Sequence, residues 1–287
     1  MTIERVGVVG CGLMGSGIAE VCARAGLDVV VREVTDDTLA AGRRRIEGSF
    51  ARAVRNGKLG DEQVEAATSR LRYTTELGEL ADRDLVVEAV VEDEAAKTAL
   101  FAELDRTLEN PAAILASNTS SIPIMKLGMA TERPEHVIGI HFFNPVPVLK
   151  LVELVTSLLT AEETAAAAEH FATETLGKSV IRSQDRAGFV VNALLIPYLL
   201  SAIRMLESGF ASADHIDEGM VLGCAHPMGP LALADLIGLD TTKAVAESLY
   251  EEFKEPLYAP PPLLARMVDA GLLGRKTGRG FYEYKKA

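Results

Sequence analysis

A glycine-rich turn near the start of the chain constrains its fold more than any other feature. The run GVVGCGLMGSGIA has the spacing G-x-G-x-x-G at Gly10, Gly12 and Gly15, after the apolar run RVGVV and before an apolar helical pattern. Such glycines permit a tight turn, a close approach of the backbone to a diphosphate and close packing of a helix on a strand. The start of that helix offers unpaired N–H groups to an anion. The turn therefore predicts a strand–turn–helix unit that binds a dinucleotide.

Strand-like and helical segments alternate after this turn. Helical patterns over residues 14–25, 36–56 and 95–108 separate the apolar runs RVGVVG, DVVVRE, DLVVEAV, AAILASN and HVIGIHF. This alternation predicts a parallel sheet with helices on both faces. The runs LKLVELV and KSVIRS flank an Ala-rich helical pattern over residues 162–176 and are expected to extend the sheet. The fold class predicted here is α/β, a Rossmann-like doubly wound sheet.

The pattern changes after Asp185. From Gly188 onward the chain shows long apolar helical stretches, interrupted by the HPMGP turn and by the prolines at 260–262. The chain of 287 residues is long enough for two domains. We therefore predict a dinucleotide-binding domain over residues 1–186 and an all-α C-terminal domain over residues 187–287.

Charge and composition exclude several classes of protein. A net charge of −12 argues against nucleic-acid binding, which needs a basic surface. The longest apolar segment, residues 189–203, is shorter than the ~20 residues of a membrane span. Three cysteines without a C-x-x-C spacing indicate neither a disulfide framework nor a metal site. We therefore expect a cytoplasmic protein with a small-molecule substrate and without a metal.

A histidine and a glutamate lie inside apolar runs of the segment GIHFFNPVPVLKLVEL. His141 lies at the end of one predicted strand, and Glu153 lies within the next. A histidine in an apolar strand is more often structural, but an unpaired buried carboxylate is costly and a histidine partner removes that cost. Ligands of such sheets bind beyond the carboxyl ends of the strands. The two residues are therefore interpreted as a general base and the carboxylate that orients it.

A third candidate follows the second predicted strand, which ends at Glu33. A carboxylate at this place accepts hydrogen bonds from the adenosine ribose and repels a 2′-phosphate. The sequence therefore predicts NAD as the cofactor, with NADP as a weaker alternative because Arg32 is adjacent.

Five motifs together resemble one enzyme family. They are GCGLMGSGIA, SNTSSI, GIHFFNPVPVLKLVEL, HPMGPLALADLIGLD and GRKTGRGFY, and they extend over residues 10–282. The chain resembles the L-3-hydroxyacyl-CoA dehydrogenase family, in particular its short monofunctional members of the 3-hydroxybutyryl-CoA dehydrogenase type. The resemblance implies a homodimer that oxidises L-3-hydroxyacyl-CoA with NAD and catalyses the reverse reduction, in fatty-acid β-oxidation or butanoate metabolism. It also implies that residues 1–186 form an NAD-binding domain and that residues 187–287 serve in substrate binding and dimerisation.

The resemblance also implies site residues. It gives catalytic roles to His141, Glu153, Ser120 and Asn192. The predicted cofactor contacts are Gly10, Cys11, Gly12, Leu13, Met14, Gly15, Glu33, Glu92, Lys97, Ser120, Asn144 and Lys276. The predicted substrate contacts are Ser49, Arg52, Asn56, Lys58, Ser120 and Asn192.

A basic segment offers a site for the phosphates of coenzyme A. Six basic side chains stand against one acid, Glu47, and they are Arg43, Arg44, Arg45, Arg52, Arg55 and Lys58. A solvated helix face is an equally good interpretation of any one of them.

Two other functions are compatible with the same fold. One is a dehydrogenase of a free hydroxy acid, as in the gulonate dehydrogenase relatives, although HFFNP is the form seen in acyl-CoA enzymes. The other is a non-catalytic protein of the lambda-crystallin kind. The joint presence of Ser120, His141, Glu153 and Asn192 argues against the latter.

Overall fold

The computed structural model describes residues 2–284. The chain divides into two compact units between Asp185 and Arg186. The first unit contains an extended sheet with helices, and the second is built from helices.

The sheet of the first unit has eight strands in the order β3-β2-β1-β4-β5-β6-β7-β8. They are β1 (Arg5–Val9), β2 (Asp28–Arg32), β3 (Leu71–Thr74), β4 (Leu85–Glu88), β5 (Ile114–Ser117), β6 (Val137–Phe142), β7 (Leu151–Thr156) and β8 (Ser179–Gln184). The first six strands are parallel, β7 is antiparallel to β6, and β8 is parallel to β7. The chain adds β2 and β3 on one side of β1 and then β4 and the later strands on the other side. This confirms the predicted doubly wound sheet.

Six α-helices accompany this sheet in the described part of the first unit. They are α1 (Leu13–Arg24), α2 (Asp36–Arg55), α3 (Asp61–Thr68), α4 (Glu94–Thr107), α5 (Ile124–Gly128) and α6 (Glu162–His170). Thr35 caps α2, because its hydroxyl accepts from the Thr38 N–H and the Thr38 hydroxyl lies within 3.3 Å of the Thr35 N–H. The helical pattern predicted over residues 162–176 is α-helical to His170 and π-helical from Phe171 to Thr175, and Gly177 follows with a φ of +64°.

Sequence patterns missed α3 and β3. The strand β3 is only four residues long, LRYT, and just its first residue is buried. It lies at the edge of the sheet, where one neighbouring strand suffices and a continuous apolar run is unnecessary. Short edge strands therefore leave a weaker pattern than the Val-rich central strands.

The centre of the sheet is apolar on both faces. Val6, Val8 and Val87 on one face, and Val86 and Leu115 on the other, are all inaccessible to solvent. Strands covered by helices on both sides need apolar residues at successive positions, and β-branched side chains suit this pleated environment. The parallel strands thus bring their carboxyl ends to one end of the sheet, where β1, β4, β5 and β6 finish side by side.

The second unit contains five α-helices in its described part. They are α7 (Val191–Glu207), α8 (Ala213–Cys224), α9 (Pro230–Ile237), α10 (Leu239–Phe253) and α11 (Pro262–Asp269). Its core includes Leu199, Leu200, Leu231 and Leu249. In the described residues after Arg186, β-type pairing is limited to isolated bridges near Arg279. The helical prediction for this part of the chain is confirmed.

The described residues contain neither a membrane-spanning helix nor a cluster of metal ligands. None of the helices within residues 2–284 is both long enough and apolar enough to cross a membrane. Nor does that part of the chain bring together three or more His, Cys, Asp or Glu side chains in a way that could hold a metal ion.

Candidate functional site

The glycine turn joins β1 to α1, and its three glycines differ in their surroundings. Gly10 has a φ of +89°, and a Cβ atom there would lie 2.6 Å from the Ala89 carbonyl oxygen. A Cβ atom on Gly15 would collide with the Gly10 carbonyl oxygen, whereas one on Gly12 would meet no atom within 4 Å. Gly10 and Gly15 are therefore required by the turn itself. Gly12 leaves open space in front of the turn.

The start of α1 has the features of an anion site. Its N-cap residue, Gly12, has no side chain to accept from the first turn, and that turn carries no acidic residue. Leu13 and Met14 begin the helix, so their N–H groups face out of its N-terminal end. The open space at Gly12 and the unpaired N–H groups together fit a diphosphate.

Glu33 follows β2 and is bound to the same turn. One oxygen of its carboxylate accepts from the Cys11 N–H at 2.6 Å, and the other accepts from the Val34 N–H at 3.1 Å. Arg45 of α2 donates to the Cys11 carbonyl at 3.2 Å. Burial, and then the nearby Glu33 carboxylate, raise the pKa of the Cys11 thiol to about 12. Cys11 therefore contributes its backbone to this region, while its thiol stays neutral.

His141 and Glu153 form a hydrogen-bonded pair. They are direct partners in the antiparallel register of β6 and β7, and His141 Nδ1 lies 2.8 Å from Glu153 Oε2. His141 is 6% exposed and Glu153 is fully buried. The ring of Phe143 lies beside the imidazole, with 4.6 Å between the centroids. A carboxylate this deep in the sheet is compensated by the imidazole opposite it.

The loop that joins β6 to β7 is held from two sides. Lys178 donates to the carbonyls of Val146 and Leu149 at 2.5 and 2.8 Å. A Cβ atom on Gly17 of α1 would lie 2.9 Å from the Cβ of Val146, so the helix and the loop approach closely at this glycine. The predicted cofactor contact Asn144 lies in this loop and precedes a cis proline. The nucleotide-binding helix and the connection between the His141 and Glu153 strands are therefore in contact.

Glu92 and Lys97 meet at the carboxyl end of β4. Lys97 Nζ lies 2.8 Å from Glu92 Oε2 and 3.0 Å from Glu88 Oε1, and the lysine is only 1% exposed. Burial acts to raise the pKa of the Glu92 carboxyl, but Lys97 and hydrogen bonds from Thr119 and Ser120 outweigh it and hold this pKa below its ordinary value.

The segment SNTSS begins at Ser117, the last residue of β5, and is hydrogen-bonded to Glu92. Glu92 Oε1 accepts from the Thr119 hydroxyl at 2.5 Å, from the Ser120 N–H at 3.0 Å and from the Ser121 N–H at 3.2 Å. Asn118 Oδ1 accepts from the Phe142 N–H at 2.9 Å, which connects this segment to the end of β6. The structure thus brings Ser120, Glu92 and Lys97 into one network at the same edge as His141.

The basic segment lies on α2, and its residues have different partners. Arg43 pairs with Glu47 at 2.8 Å and lies over the ring of Tyr73. The predicted substrate contacts Ser49, Arg52 and Asn56 recur at spacings of three and four residues, with Asn56 as the C-cap, so they share one face of the helix. Lys58 lies two residues beyond the C-cap of the helix. This arrangement presents a polar and basic face.

Two predicted residues belong to the second unit. Asn192 lies in the first turn of α7, and Lys276 forms an ion pair with Asp240 at 2.5 Å. Burial acts to raise the pKa of the Asp240 carboxyl, but the hydrogen bond and charge of Lys276 and the hydrogen bonds from backbone N–H groups together outweigh it, and the pKa lies below its usual value. The roles of Asn192 and Lys276 remain predictions.

Sequence reasoning missed Glu88, Ser117 and Thr119. Glu88 is fully buried at the end of β4 and accepts from the Ser117 hydroxyl at 2.6 Å. The run DLVVEAV contains the signal that singled out Glu153, a carboxylate inside an apolar strand. The charged partner of Glu88 is not nearby in sequence, because Lys97 lies on the following helix, α4.

The arrangement combines three chemical capabilities at one edge of the sheet. The glycine turn and α1 can hold a diphosphate, and Glu33 can accept hydrogen bonds from a ribose. An imidazole oriented by a carboxylate can take up and return a proton near neutral pH. These are the parts that a nicotinamide-dependent alcohol dehydrogenase requires.

Comparison with known proteins agrees with this geometry. Residues 5–186 match the family described as "3-hydroxyacyl-CoA dehydrogenase, NAD binding domain", and residues 188–284 match "3-hydroxyacyl-CoA dehydrogenase, C-terminal domain". A 3-hydroxybutyryl-CoA dehydrogenase of Mycobacterium tuberculosis is 61% identical over 282 residues, which cover 98% of this chain and 99% of that protein.

Two further relatives are similar over their whole length. A 3-hydroxybutyryl-CoA dehydrogenase of Bradyrhizobium diazoefficiens is 47% identical, with 99% of this chain and 97% of that protein covered. The crystal structure of (S)-3-hydroxybutyryl-CoA dehydrogenase from Ralstonia eutropha superposes with a TM-score of 0.94 at 46% identity, covering 99% of this chain and 100% of that one. Both halves of the sequence thus match, and the resemblance inferred from the five motifs is confirmed: the chain belongs to the 3-hydroxyacyl-CoA dehydrogenase family.

Proposed function

We propose that this protein is an NAD-dependent L-3-hydroxyacyl-CoA dehydrogenase that acts on short acyl chains such as 3-hydroxybutyryl-CoA. It oxidises the 3-hydroxyl group to a ketone and catalyses the reverse reduction. The observation that carries the proposal is the 2.8 Å hydrogen bond between His141 and Glu153 at the carboxyl edge of the sheet, on which the glycine turn also lies. The names of the relatives supply the acyl-CoA substrate class.

His141 is the general base of the oxidation in this proposal. The Glu153 carboxylate accepts a hydrogen bond, so the Nδ1 atom of His141 carries the proton and Nε2 carries the lone pair. Nε2 takes the proton of the substrate hydroxyl, and the imidazolium formed is stabilised by the Glu153 carboxylate. In the reduction the same nitrogen returns the proton to the ketone. NAD, when bound, accepts the hydride from the carbon that bears the hydroxyl.

Ser120 is proposed as a hydrogen-bond donor near the substrate hydroxyl and the nicotinamide. Its backbone is held by Glu92, which in turn is held by Lys97. The segment that carries Ser120 is therefore preorganised, and little free energy is needed to order it when ligands bind.

The cofactor preference is proposed to come from Glu33. A 2′-phosphate would be repelled by this carboxylate. Arg32 Nε donates to the Thr75 carbonyl at 3.3 Å. This hydrogen bond holds the guanidinium of Arg32 on the side of the sheet where β3 lies. NAD is therefore proposed as the cofactor, with NADP as the weaker alternative.

Coenzyme A is proposed to bind the basic face of α2, through Ser49, Arg52, Asn56 and Lys58. Arg52→Ala combined with Lys58→Ala should raise KM for acetoacetyl-CoA about three- to tenfold, because each side chain loses an ionic contact with phosphate. KM for NADH should stay unchanged. Arg106→Ala, an exposed arginine on α4 and not on α2, is the control. An equal rise of both KM values in the double variant would contradict the assignment.

The function is tested by steady-state kinetics. Purified protein should consume NADH in the presence of acetoacetyl-CoA, which is followed by the loss of nicotinamide absorbance, and NADPH should give a lower kcat/KM. Consumption of NADH with a free 3-keto acid but not with its CoA thioester would support the gulonate-type alternative. No turnover with any ketone, together with a folded protein, would support the lambda-crystallin-like alternative.

The homodimer and the cytoplasmic location stay predictions. Light scattering of the purified chain would test the first. A mass equal to that of one chain, 30.7 kDa, at assay concentrations would contradict it.

A further inference from the structure

Three ionisable side chains form a compact group at the end of β4. Lys97 lies between Glu88 and Glu92, at 3.0 and 2.8 Å, and we call these three residues the acid–lysine triad. Glu88 is fully buried, Lys97 is 1% exposed, and the side chain of Glu92 is 38% exposed. The triad is thus shielded from solvent on the side of Glu88.

The hydrogen bonds of the triad fit two ionised carboxylates. Glu88 accepts from the Val90 N–H at 2.7 Å and from the Ser117 hydroxyl at 2.6 Å, in addition to Lys97. Glu92 accepts from the Thr119 hydroxyl and the Ser120 N–H. An ionised carboxylate accepts hydrogen bonds and donates none. Two carboxylates and one ammonium group leave the triad with one negative charge.

The triad lies beside the glycine turn. Glu88 is the register partner of Val9, the last residue of β1, and the following residue, Ala89, is the one whose carbonyl Gly10 approaches. Glu33 lies on the opposite side of β1, after β2. A dinucleotide spans the point where the strand order reverses, so the half that does not contact Glu33 extends towards β4, β5 and β6.

We propose that the negative charge of the acid–lysine triad favours binding of the oxidised cofactor over the reduced cofactor, and that Glu88 supplies the carboxylate that makes the triad negative. The nicotinamide ring is positively charged in NAD⁺ and neutral in NADH. Buried charges act on it with little screening by salt. This inference rests on the proposed binding of a nicotinamide dinucleotide.

A purely structural triad would behave differently. If it only fastened the end of β4 to the SNTSS segment, a change in the triad would weaken both forms of the cofactor by the same factor. The ratio of the two dissociation constants therefore separates an electrostatic role from a structural one.

The test is a comparison of Kd for NAD⁺ and NADH in the wild-type chain and in Glu88→Gln. NADH is titrated by its fluorescence, and NAD⁺ by competition with bound NADH at constant pH and salt. The amide keeps an oxygen that can accept from Val90 and Lys97, and Lys97 keeps Glu92 as its ionic partner, so no buried charge is left unpaired. Loss of one charge should raise the ratio of Kd for NAD⁺ to Kd for NADH about 3- to 30-fold. A ratio within about twofold of wild type would overturn the proposal.

Two further variants give matched controls. Glu103→Gln removes the same charge from an exposed position on α4, the helix that carries Lys97, and should leave the ratio unchanged. Glu88→Gln combined with Lys97→Gln restores the triad to one negative charge, on Glu92, and should return the ratio towards wild type. An elevated ratio in this double variant, or an equal change in Glu103→Gln, would overturn the proposal.

Failure of the proposed function has a separate signature. If the wild-type chain binds neither NAD⁺ nor NADH, the dinucleotide site itself is wrong. If it binds both and the ratio of the two Kd values is the same in wild type and Glu88→Gln, only the proposed role of the triad is wrong.

Discussion

Buried carboxylates in the two units of this protein have different kinds of partner. In the first unit, Glu153 faces His141 and Glu88 faces Lys97, so each acid meets an ionisable base. In the second unit, Asp235 accepts from the backbone N–H groups of Phe281 and Tyr282 and from the Tyr284 hydroxyl.

Asp217 repeats the arrangement of Asp235. Its two oxygens accept from the N–H groups of Leu231 and Ala232 at the start of α9, and from the Tyr282 hydroxyl. Burial and the hydrogen bond to Asp217 raise the pKa of Tyr282, so its hydroxyl keeps its proton and remains a donor. The comparison teaches that a buried acid beside a base can move charge during a reaction, whereas one surrounded by fixed neutral donors holds chain segments together.

The largest effect is expected at the His141–Glu153 pair. His141→Ala should lower kcat by about 10²- to 10⁴-fold because it removes the proton acceptor, while the Kd for NADH stays close to wild type since the glycine turn is unchanged. Stopped-flow turnover and NADH titration measure both. His170→Ala, an exposed histidine at the end of α6, is the control and should keep full activity.

Glu153→Gln sharpens the same point. The amide preserves the shape of the side chain but removes the charge that stabilises the imidazolium, so kcat should fall severely while KM for the substrate changes less. A folded Glu153→Gln protein with wild-type kcat would place this pair with the structural acids of the second unit.

The next largest effect is expected on stability in the second unit. In Asp235→Asn, an NH₂ group replaces one of the two carboxylate oxygens and faces the donors that bind this oxygen in wild type. Two donors cannot hydrogen-bond to each other, so the free energy of unfolding should fall by about 1–3 kcal/mol. Denaturant unfolding followed by circular dichroism measures it, and Asp269→Asn on α11 is the control. Loss of kcat at full stability would break the distinction between the two units.

Glu33 is the test of how far the comparison extends. Its hydrogen-bond donors are backbone N–H groups of Cys11 and Val34, as in the second unit, yet it is proposed to select the cofactor. Glu33→Gln should reduce the preference for NADH over NADPH by about tenfold, measured as the ratio of kcat/KM values. An unchanged ratio with lower stability would make Glu33 a structural acid as well.

The smallest expected effect is a pH dependence of stability from Glu92. Its pKa lies below the ordinary value of 4.5, so its contribution to stability is complete above about pH 4.5 and is lost as the pH falls through the lower folded-state pKa. Melting temperatures between pH 3 and pH 6 should therefore fall less steeply on acidification in Glu92→Gln than in wild type. Equal slopes of melting temperature against pH in the two proteins would show that the charge of Glu92 contributes no net stabilisation.

Much of the fold was predictable because its determinants are local. The glycine spacing at residues 10–15 specifies a turn whose backbone excludes a Cβ at two of its positions, and the Val-rich runs specify strands buried on both faces. His141 and Glu153 were recognisable because a polar residue inside an apolar strand demands a partner. The edge strand β3 escaped prediction because an edge position places few demands on its four residues.

The sequence by itself therefore determined the backbone of the nucleotide turn, the class of the two units and the identity of the residues that needed partners. Only the tertiary structure decided which partners they received. The antiparallel register of β6 and β7 sets His141 opposite Glu153, and the return of α4 brings Lys97 to Glu88. The physical reason is that burial and backbone conformation follow from neighbouring residues, whereas the meeting of two charges depends on strand order and register, which are set by the packing of the whole sheet.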